Sequence, residues 1–213
     1  MTAEPEEQRN RLDRRKERTR RALIEAAQRI LAERGTSDVS IQEITETADV
    51  GFGSFYNHFA SKAELFEIAV REVLEEYGAA LDRASADLTD PAEIYAVGVR
   101  MTARLAMTRP AVAQVLLQVG LSYAVEDEGL AHRALRDIRA GVADGRFTIE
   151  DAGLGVIATA GCILAFLQAA LDPASELDES DTDALAEMLL RMLGMPARTA
   201  RAVARRPLPV VRV

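Results

Sequence analysis

The chain of 213 residues contains two histidines, His58 and His132, and one cysteine, Cys162. Histidine can transfer a proton near neutral pH or bind a metal, so an enzyme would use it first. His58 and Tyr56 are two residues apart and therefore face different sides of a helix. No Cys, Asp, Glu or His lies three or four residues from His58, so the spacing of a zinc site is absent. We expect no catalytic residue, metal or cofactor, and an all-α enzyme that uses His58 or His132 is the alternative hypothesis.

The stretch Gly51-Phe-Gly-Ser-Phe-Tyr-Asn-His-Phe59 has the composition of a DNA-contacting segment instead. On a helix that turns by about 100° per residue, Phe55 and Phe59 share one side and predict a core contact. Gly53 and Asn57 lie on the opposite side, flanked by hydroxyl groups that can bind phosphates. A glycine there allows close approach to a groove, and an asparagine can pair with adenine N6 and N7. Asn57 is therefore predicted to carry sequence choice.

Two capping boxes bracket this stretch, Ser40-Ile-Gln-Glu43 and Ser61-Lys-Ala-Glu64. In each, the serine hydroxyl caps a helix and the glutamate three residues later returns a hydrogen bond. The layout is a helix that ends with Gly35 at the C′ position, a short helix at 40–48, a turn near Asp49-Val50 and a second short helix. This is the layout of a helix-turn-helix, whose second helix enters the major groove of DNA.

Apolar residues recur at helical spacing along almost the whole chain, for example at Phe66, Val70, Val73, Tyr77 and Leu81. No alternating run of β-branched residues is bounded by the turn residues of a hairpin. The fold class is therefore predicted as all-α, with an N-terminal helix-turn-helix followed by a helical domain and about nine or ten helices in all.

Basic residues are concentrated near the N-terminus, although the net charge of the whole chain is −8. Positions 9–21 contain eight basic and two acidic side chains, and such a patch attracts a DNA backbone. The segment is either a solvated helix start or an arm that contacts DNA. We expect DNA contact by at least one of Arg14, Arg15, Lys16, Arg18 and Arg20. Lys62 follows the Ser61 cap, where a cation opposes the helix dipole and favours a phosphate contact.

Four motifs follow one another between residues 18 and 70: Ile24-Glu-Ala-Ala27, Ser40-Ile-Gln-Glu-Ile44, Gly53-Ser-Phe-Tyr-Asn-His-Phe59 and Lys62-Ala-Glu-Leu65. Their types and spacing resemble the TetR family of transcriptional regulators. Asp49 stands where that family usually has a turn glycine, and Gly51 stands where it has a Ser or Thr cap. Aspartate tolerates the left-handed conformation and glycine is an acceptable N-cap, so we expect the turn to survive.

The resemblance implies a DNA-binding domain at 1–60, a helical effector-binding and dimerisation domain at 61–206, and a C-terminal tail at 207–213. It also implies a homodimeric, ligand-responsive repressor that binds a palindromic operator in double-stranded DNA and is released by a small-molecule effector. The motifs and the resemblance together assign these residues to DNA binding: Arg18, Ser40, Thr45, Gly51, Phe52, Gly53, Ser54, Tyr56, Asn57, His58 and Lys62.

Residues 152–171 are uncharged over twenty positions, which is long enough to span a bilayer. More than half of them are small or weakly polar and no Lys or Arg lies close to either end, which argues against a membrane span. A buried helix packed against a dimer partner is predicted instead, with 181–194 as the second interface helix. The single cysteine and the polar N-terminus, which lacks the apolar segment of a signal peptide, predict a cytoplasmic protein.

An effector cavity is predicted between the helices that cover 66–81, 94–107, 112–123, 130–143 and 155–170. Apolar walls with a few polar groups are typical of ligand sites. Arg100 and Arg104 share a helix face, but no larger cationic cluster predicts an anion clamp. We therefore predict a hydrophobic or amphipathic effector bound by Met101, Leu105, Gln114, Gln118, Tyr123 and Phe166.

Overall fold

The computed structural model of the protein describes residues 4–34, 37–120 and 129–209. Within these ranges the chain forms ten α-helices, one 3₁₀ helix and no β-strand, which confirms the predicted all-α class. The α-helices are α1 (Glu4–Arg34), α2 (Ile41–Thr47), α3 (Lys62–Ala84), α4 (Pro91–Ala103), α5 (Leu105–Thr108), α6 (Pro110–Val119), α7 (Gly129–Ala143), α8 (Ala152–Ala170), α9 (Glu179–Met192) and α10 (Ala197–Ala204). Gly35, predicted to end the first helix, and Tyr123, predicted to bind an effector, lie outside the described residues.

The chain divides into two compact units, Met1–Val73 and Leu74–Val213, called here the N-terminal and C-terminal units. The division falls inside α3, so the 23 residues of that helix belong partly to each unit. The domain boundary predicted after residue 60 lies before α3 begins, and it stays a prediction.

The core of the N-terminal unit joins the apolar stripe of α1 to the short elements that follow it. Leu23 and Ile24 of α1 are fully buried, as are Ile44 of α2 and Leu65 at the start of α3. Helices as short as α2 are marginal on their own, so their order depends on packing against a longer helix. Each fully buried side chain of this size contributes about 1.5–3 kcal/mol to that packing.

Serine caps begin α2 and α3 as predicted. Ser40 Oγ accepts the backbone N–H of Glu43 at 3.1 Å, and Ser61 Oγ accepts that of Glu64 at 3.1 Å. The returning bonds differ from those of an ideal capping box. Glu64 accepts the N–H of Ala60 at 2.7 Å, and the carboxylate of Glu43 forms an ion pair with α1. The two helices therefore begin at fixed residues on either side of the segment between them.

The C-terminal unit packs α7, α8, α9 and α10 around α4. Ile138, Phe147 and Leu190 are among its fully or almost fully buried side chains. The Phe147 ring meets the Tyr95 ring edge to face, with centroids 5.8 Å apart. A Cβ at Gly141 would lie 2.2 Å from the Phe147 ring, so α7 can pack on this ring only through a glycine.

The face shared by Arg100 and Arg104 holds α9 and the segment directly after α10 against α4. Arg100 is buried, and it donates to Asp183 at 2.6 Å and to the backbone carbonyl of Arg206 at 2.7 Å. Arg104 pairs with Glu179 at 2.9 Å. Both arginines therefore have structural partners, and neither lines the cavity of this unit.

Candidate nucleic-acid interface and effector cavity

The turn between α2 and the segment Phe52–Asn57 accommodates Asp49 and Gly51, the two residues that depart from the usual form of the motif. Asp49 adopts φ +54°, the left-handed conformation in which glycine is most common. The N–H of Val50 donates to the carbonyl of Thr45 at 3.0 Å and closes the turn. Gly51 supplies no side-chain cap, but its carbonyl accepts the N–H of Ser54 at 2.8 Å. The predicted survival of the turn is confirmed.

The predicted recognition helix is a 3₁₀ helix, Phe52–Asn57, rather than an α-helix. Its six residues begin without a side-chain cap, and short uncapped segments readily take this tighter form. Phe55 is fully buried and Phe59 is 2% exposed, which confirms the predicted core side. Phe52, predicted to contact DNA, is 54% exposed and packs edge to face on Tyr56.

Four side-chain positions of this segment face solvent: Phe52, Gly53, Tyr56 and Asn57. They are called the recognition face below. A Cβ built at Gly53 would meet no atom within 4 Å, so the backbone is open to close approach there. Ser54 is half-buried at the side of the face. The face combines an amide that can bind base edges with two aromatic rings that can contact sugars and methyl groups.

His58 ends the segment as a neutral side chain. Burial, followed by the charges of Lys16 and Arg20, holds the pKa of His58 below its ordinary value. Its Nδ1 atom is buried and has no hydrogen-bond partner among the described residues. A neutral imidazole can donate one hydrogen bond but supplies no charge to a phosphate. The side chain therefore belongs to the base of the segment more than to its exposed face.

The basic segment at 9–21 is part of α1, and its contact with DNA stays a prediction. Arg14, Arg15, Lys16 and Arg18 are exposed, whereas Arg20 is half-buried. The Arg20 guanidinium lies over the Phe59 ring at 5.3 Å from its centroid, in a cation–π contact that supports the core. The exposed members of the group remain open to a DNA backbone.

Three other predicted DNA contacts have different environments. Lys62 is half-buried, and its Nζ donates to the carbonyl of Val39 at 2.8 Å, which leaves two ammonium protons for a phosphate. Ser40 uses its hydroxyl to cap α2. Thr45 is 2% exposed and its hydroxyl donates to the carbonyl of Gln42 at 2.8 Å. The side chain of Thr45 is therefore turned into the unit and is not available to a groove.

The C-terminal unit contains a partly open cavity of about 130 Å³. The five helical segments predicted to surround an effector all contribute to its walls, through α3, α4, α6, α7 and α8. Its apolar lining includes Ile94, Leu116, Val156 and Ile163. The predicted location of the cavity in the fold therefore agrees with the structure.

The individual residues predicted to bind an effector do not line this cavity. Met101, Leu105, Gln114, Gln118 and Phe166 are all absent from its walls. Gln114 and Gln118 are exposed on the side of α6 opposite the lining residue Leu116. Leu105 is buried in the core instead. The prediction chose suitable residue types on the right helices but could not fix which face of each helix turns inward.

Hydroxyl groups form one polar part of the cavity wall. Tyr95 and Thr159 share a hydrogen bond of 2.7 Å between Oη and Oγ1, and Thr159 also donates to the carbonyl of Gly155. Thr102 donates to the carbonyl of Gly98 and accepts from Tyr77. Burial raises the pKa of Tyr77 to about 12, and burial likewise raises the pKa of Tyr95. Both phenols therefore stay neutral near pH 7.

A chain of ion pairs forms the other polar part, and we call it the cavity ion-pair network. Arg133 donates from Nε to Asp82 at 2.7 Å and from Nη2 to Glu75 at 2.7 Å. Arg136 donates to Asp82 at 3.0 Å and to Asp137 at 2.9 Å. Our sequence reasoning missed all five residues, although Arg133, Arg136 and Asp137 share one face of α7 at spacings of three and four.

The acids of the network have unequal proton affinities. Burial raises the pKa of Asp137. Burial acts in the same direction on Asp82, but hydrogen bonds from Arg133 and Arg136 outweigh it and lower the pKa of Asp82. The hydrogen bond from Arg133 lowers the pKa of Glu75. Among the three carboxylates of the network, Asp137 is therefore the one whose charged form is stabilised least.

Gly78 allows Arg133 to lie against α3. Glu75, Gly78 and Asp82 follow one another on one face of that helix, and the guanidinium spans the two acids. A Cβ at position 78 would lie 2.5 Å from Nη1 of Arg133, so the guanidinium would have to shift to admit a side chain there. The geometry of the network therefore depends on a residue that takes no part in its hydrogen bonds.

Helices α8 and α9 expose large apolar side chains. Leu154 is 63% exposed and Ile157 is 47% exposed on α8, while Met188 is 64% exposed and Met192 is 39% exposed on α9. Among the described helices, Ala152–Ala170 alone is long and apolar enough to cross a membrane, and 22% of that window is buried in the single chain. A helix of this kind in a soluble protein is expected to be covered by another surface.

His132 is exposed on α7 and does not line the cavity. Within the part of the chain that the structure describes, no group of three or more His, Cys, Asp or Glu side chains is arranged to hold a metal ion.

Two family models match the chain. The model described as "Bacterial regulatory proteins, tetR family" matches residues 23–69. The model described as "Tetracyclin repressor-like, C-terminal domain" matches residues 90–206, which is more than half of the chain. The first match covers the helix-turn-helix and the second covers most of the C-terminal unit.

Curated relatives are similar to the N-terminal part of the chain. The HTH-type transcriptional repressor DhaR of a Mycobacterium species is 37% identical over 75 residues, which are 35% of this chain and 36% of that protein. The HTH-type transcriptional regulator TtgR of Pseudomonas putida is 41% identical over 75 residues, 34% of this chain and 35% of that protein. These matches cover about a third of the relatives' length.

Two solved structures of RolR are similar to this chain over almost the full length. The crystal structure of RolR in complex with the ligand resorcinol has a TM-score of 0.79 and is 37% identical, with 93% of this chain and 99% of that chain covered. The crystal structure of RolR without ligand has a TM-score of 0.75 at the same identity, with 89% of this chain and 98% of that chain covered.

Proposed function

Because the chain belongs to the TetR family of transcriptional regulators, we propose that it is a homodimeric repressor whose operator binding is released by a small-molecule effector. The chain is a regulator and not an enzyme, so the alternative based on His58 or His132 is wrong. The observation that carries the proposal is the exposed recognition face on a fully buried aromatic base.

DNA binding would use that face in the major groove. Asn57 is exposed and can form a bidentate contact with adenine, and Gly53 allows the backbone to approach the bases. Exposed cations of α1, with Arg18 among them, and the remaining protons of Lys62 would bind phosphates. Phosphate contacts of this kind make affinity strongly dependent on salt.

Dimerisation would use α8 and α9. Their exposed leucine, isoleucine and methionine side chains form an apolar surface of the kind that a symmetric partner covers. A two-fold dimer presents two recognition faces, so its operator would be a palindrome with half-sites about 34–36 Å apart. Coverage of α8 by a partner also accounts for an apolar helix in a soluble, cytoplasmic regulator.

The effector would be a small hydroxylated aromatic compound. A dry cavity of about 150 Å³ can hold benzene, and the cavity here, at about 130 Å³, is close to that size, so we expect a ligand of one ring. The apolar walls suit the faces of such a ring, and the carboxylates, guanidiniums and hydroxyls described above can bind its hydroxyl groups. The similarity to RolR, whose structure contains resorcinol, favours a compound of that class.

Release would follow from a shift of population between two dimer conformations. The effector would bind more tightly to the conformation in which the recognition faces no longer match the half-sites, and the two affinities would be coupled reciprocally. Helix α3 is the natural connection, since it begins three residues after Phe59 and carries Asp82 of the cavity wall.

A mobility-shift assay on DNA upstream of the gene tests the proposal. We expect sequence-selective, salt-sensitive binding by a dimer and dissociation when resorcinol is added. A scrambled fragment of equal length is the control for non-specific binding. Equal affinity for both fragments would contradict operator recognition, and a complex that resists every hydroxylated single-ring compound would contradict the effector assignment.

A further inference from the structure

The two carboxylates and two guanidiniums of the cavity wall leave it without a net positive charge. Among the described residues, the charged groups in the lining are Asp82, Arg133, Arg136 and Asp137, and Glu75 binds Arg133. Three carboxylates and two guanidiniums give this network a net charge of −1. A site that recognises anions needs the opposite balance, because complementary charge is what favours an ionic ligand over a neutral one.

Both guanidiniums are already bound to carboxylates. All three nitrogens of Arg133 donate, from Nε to Asp82 at 2.7 Å and from Nη1 and Nη2 to Glu75 at 3.0 and 2.7 Å. Arg136 donates from Nε and Nη2 to two further carboxylate oxygens. A ligand carboxylate could gain a paired guanidinium only by displacing one of these acids. For Asp137, whose side chain is 16% exposed, loss of the partner would be costly, because little water could replace the guanidinium.

A ligand hydroxyl needs no such displacement. A carboxylate offers about four lone-pair sites, so Asp137 can accept a ligand O–H in addition to the bond from Arg136. A guanidinium has five N–H groups, so Arg133 can also donate to the oxygen of the same hydroxyl. The network can thus bind a neutral hydroxyl while every ion pair stays in place.

Burial adds to this preference. The side chain of Asp137 is 16% exposed, and burial already disfavours its charged form and raises its pKa. A second negative charge beside it would disfavour that form further, because like charges in a poorly solvated site repel one another. The cost would fall on the bound anion as much as on Asp137.

We infer that Asp82 and Asp137 determine effector specificity by charge, so that the cavity accepts uncharged hydroxylated rings and rejects rings that carry a carboxylate. The inference rests on the proposed function, since it takes this cavity as the effector site. It assigns the two aspartates a role in excluding ligands, which is separate from their role in binding a hydroxyl.

Calorimetric titration of the full chain with three ligands tests the inference. Resorcinol is the uncharged reference, 3-hydroxybenzoate carries a carboxylate, and 3-hydroxybenzamide matches the benzoate in size without its charge. We expect the benzamide to bind at least about tenfold more tightly than the benzoate, the difference that one like-charge interaction produces. Equal affinities for these two ligands would overturn the inference.

Two variants separate charge from shape. Asp137→Asn and Asp82→Asn each remove one negative charge and keep the side-chain volume, so the ratio of benzamide to benzoate affinity should fall by about tenfold. Asp144→Asn, an exposed aspartate outside the lining, is the matched control and should leave the ratio unchanged. If one variant fails to fold, as judged by its melting curve, the other decides. An unchanged ratio in the folded variants would overturn the inference.

The failure of this inference differs from the failure of the proposed function. If resorcinol binds but both larger ligands fail, size alone sets specificity and the role of charge is overturned. If none of the three ligands binds and operator DNA still does, the effector class is wrong, and the inference falls with it. Binding of resorcinol and benzamide together with weak binding of benzoate supports both.

Discussion

Four of the six residues in Phe52–Asn57 face solvent, whereas the polar groups of the cavity in the C-terminal unit bind one another. The recognition face rests on Phe55 and keeps its hydrogen-bonding groups for an external partner. In the cavity ion-pair network, each charged group already has a partner inside the protein. The recognition face is kept in place by apolar packing beneath it, whereas the polar wall of the cavity is kept in place by the ion pairs within it. The two should therefore respond differently to substitution.

The largest effect is expected at the base of the recognition face. Phe55→Ala should lower the free energy of unfolding by about 3–5 kcal/mol, because a fully buried aromatic ring leaves a cavity. Phe52→Ala is the matched control from the same segment, and its effect on stability should stay within about 0.5 kcal/mol since Phe52 is exposed. Denaturant unfolding measures both. Similar losses in the two variants would break the distinction between base and face.

Asn57→Ala tests the face itself. The side chain is exposed, so stability should be unchanged while operator affinity falls by about 1–3 kcal/mol, the usual contribution of a bidentate base contact. Titration of operator and scrambled DNA separates loss of sequence choice from loss of general affinity. A fall of equal size on both DNAs would show that Asn57 contributes no sequence selection.

Gly78→Ala tests how far the cavity depends on its ion pairs. A methyl group at this position would displace the Arg133 guanidinium from α3, so resorcinol should bind about tenfold more weakly, a loss of about 1.4 kcal/mol. Operator affinity without effector should not change, which serves as the internal control. In the double variant Gly78→Ala, Arg133→Lys, the shorter reach of lysine removes the steric overlap at position 78. Lysine cannot replace the two-pronged contact of the Arg133 guanidinium, so this variant should fold well and still bind resorcinol weakly.

Arg18→Ala should produce a smaller and less specific effect. Removal of one phosphate contact should weaken binding to all DNA sequences and reduce the slope of log affinity against log salt by about 1. Arg71→Ala is the control, because Arg71 is an exposed cation of the same unit that pairs with Glu67. If Arg18→Ala leaves the slope unchanged, other cations of α1 make the phosphate contacts instead of Arg18.

The smallest effect concerns pH. Because the pKa of His58 is lower in the folded protein than its ordinary value of about 6.5, the unfolded chain binds the proton more tightly. His58 therefore costs no stability above that pH and lowers stability as the pH falls through about 6.5. Thermal melting of His58→Gln should show a shallower decline between about pH 6.5 and 5 than the parent chain. A decline in His58→Gln as steep as in the parent chain would show that another group sets the pH dependence.

The sequence predicted the N-terminal unit well because its signals are local. The caps at Ser40 and Ser61 and the burial of Phe55 and Phe59 each depend on residues a few positions apart. The 3₁₀ form of Phe52–Asn57 was missed, because the absence of a cap decides between two helices that differ little in energy.

For the cavity, the sequence allowed us to predict which helices form the walls but not which residues line them. Which face of α4 or α6 turns inward depends on how helices far apart in the sequence pack, and one chain carries no local signal for this. The ion-pair network joins positions 75 and 82 to 133, 136 and 137 across α3 and α7. Such contacts follow from tertiary packing, and at the sequence level each of these residues looks like an ordinary surface charge.

The closed arrangement of the cavity ion-pair network also bears on the rate and entropy of recognition. Because Arg133 and Arg136 are held by carboxylates before any ligand arrives, their side chains lose most of their rotational freedom when the protein folds. An incoming molecule meets a wall that is already ordered, so association requires little rearrangement and little further loss of side-chain entropy. Such a site favours fast binding, which allows a receptor to respond quickly when its ligand appears.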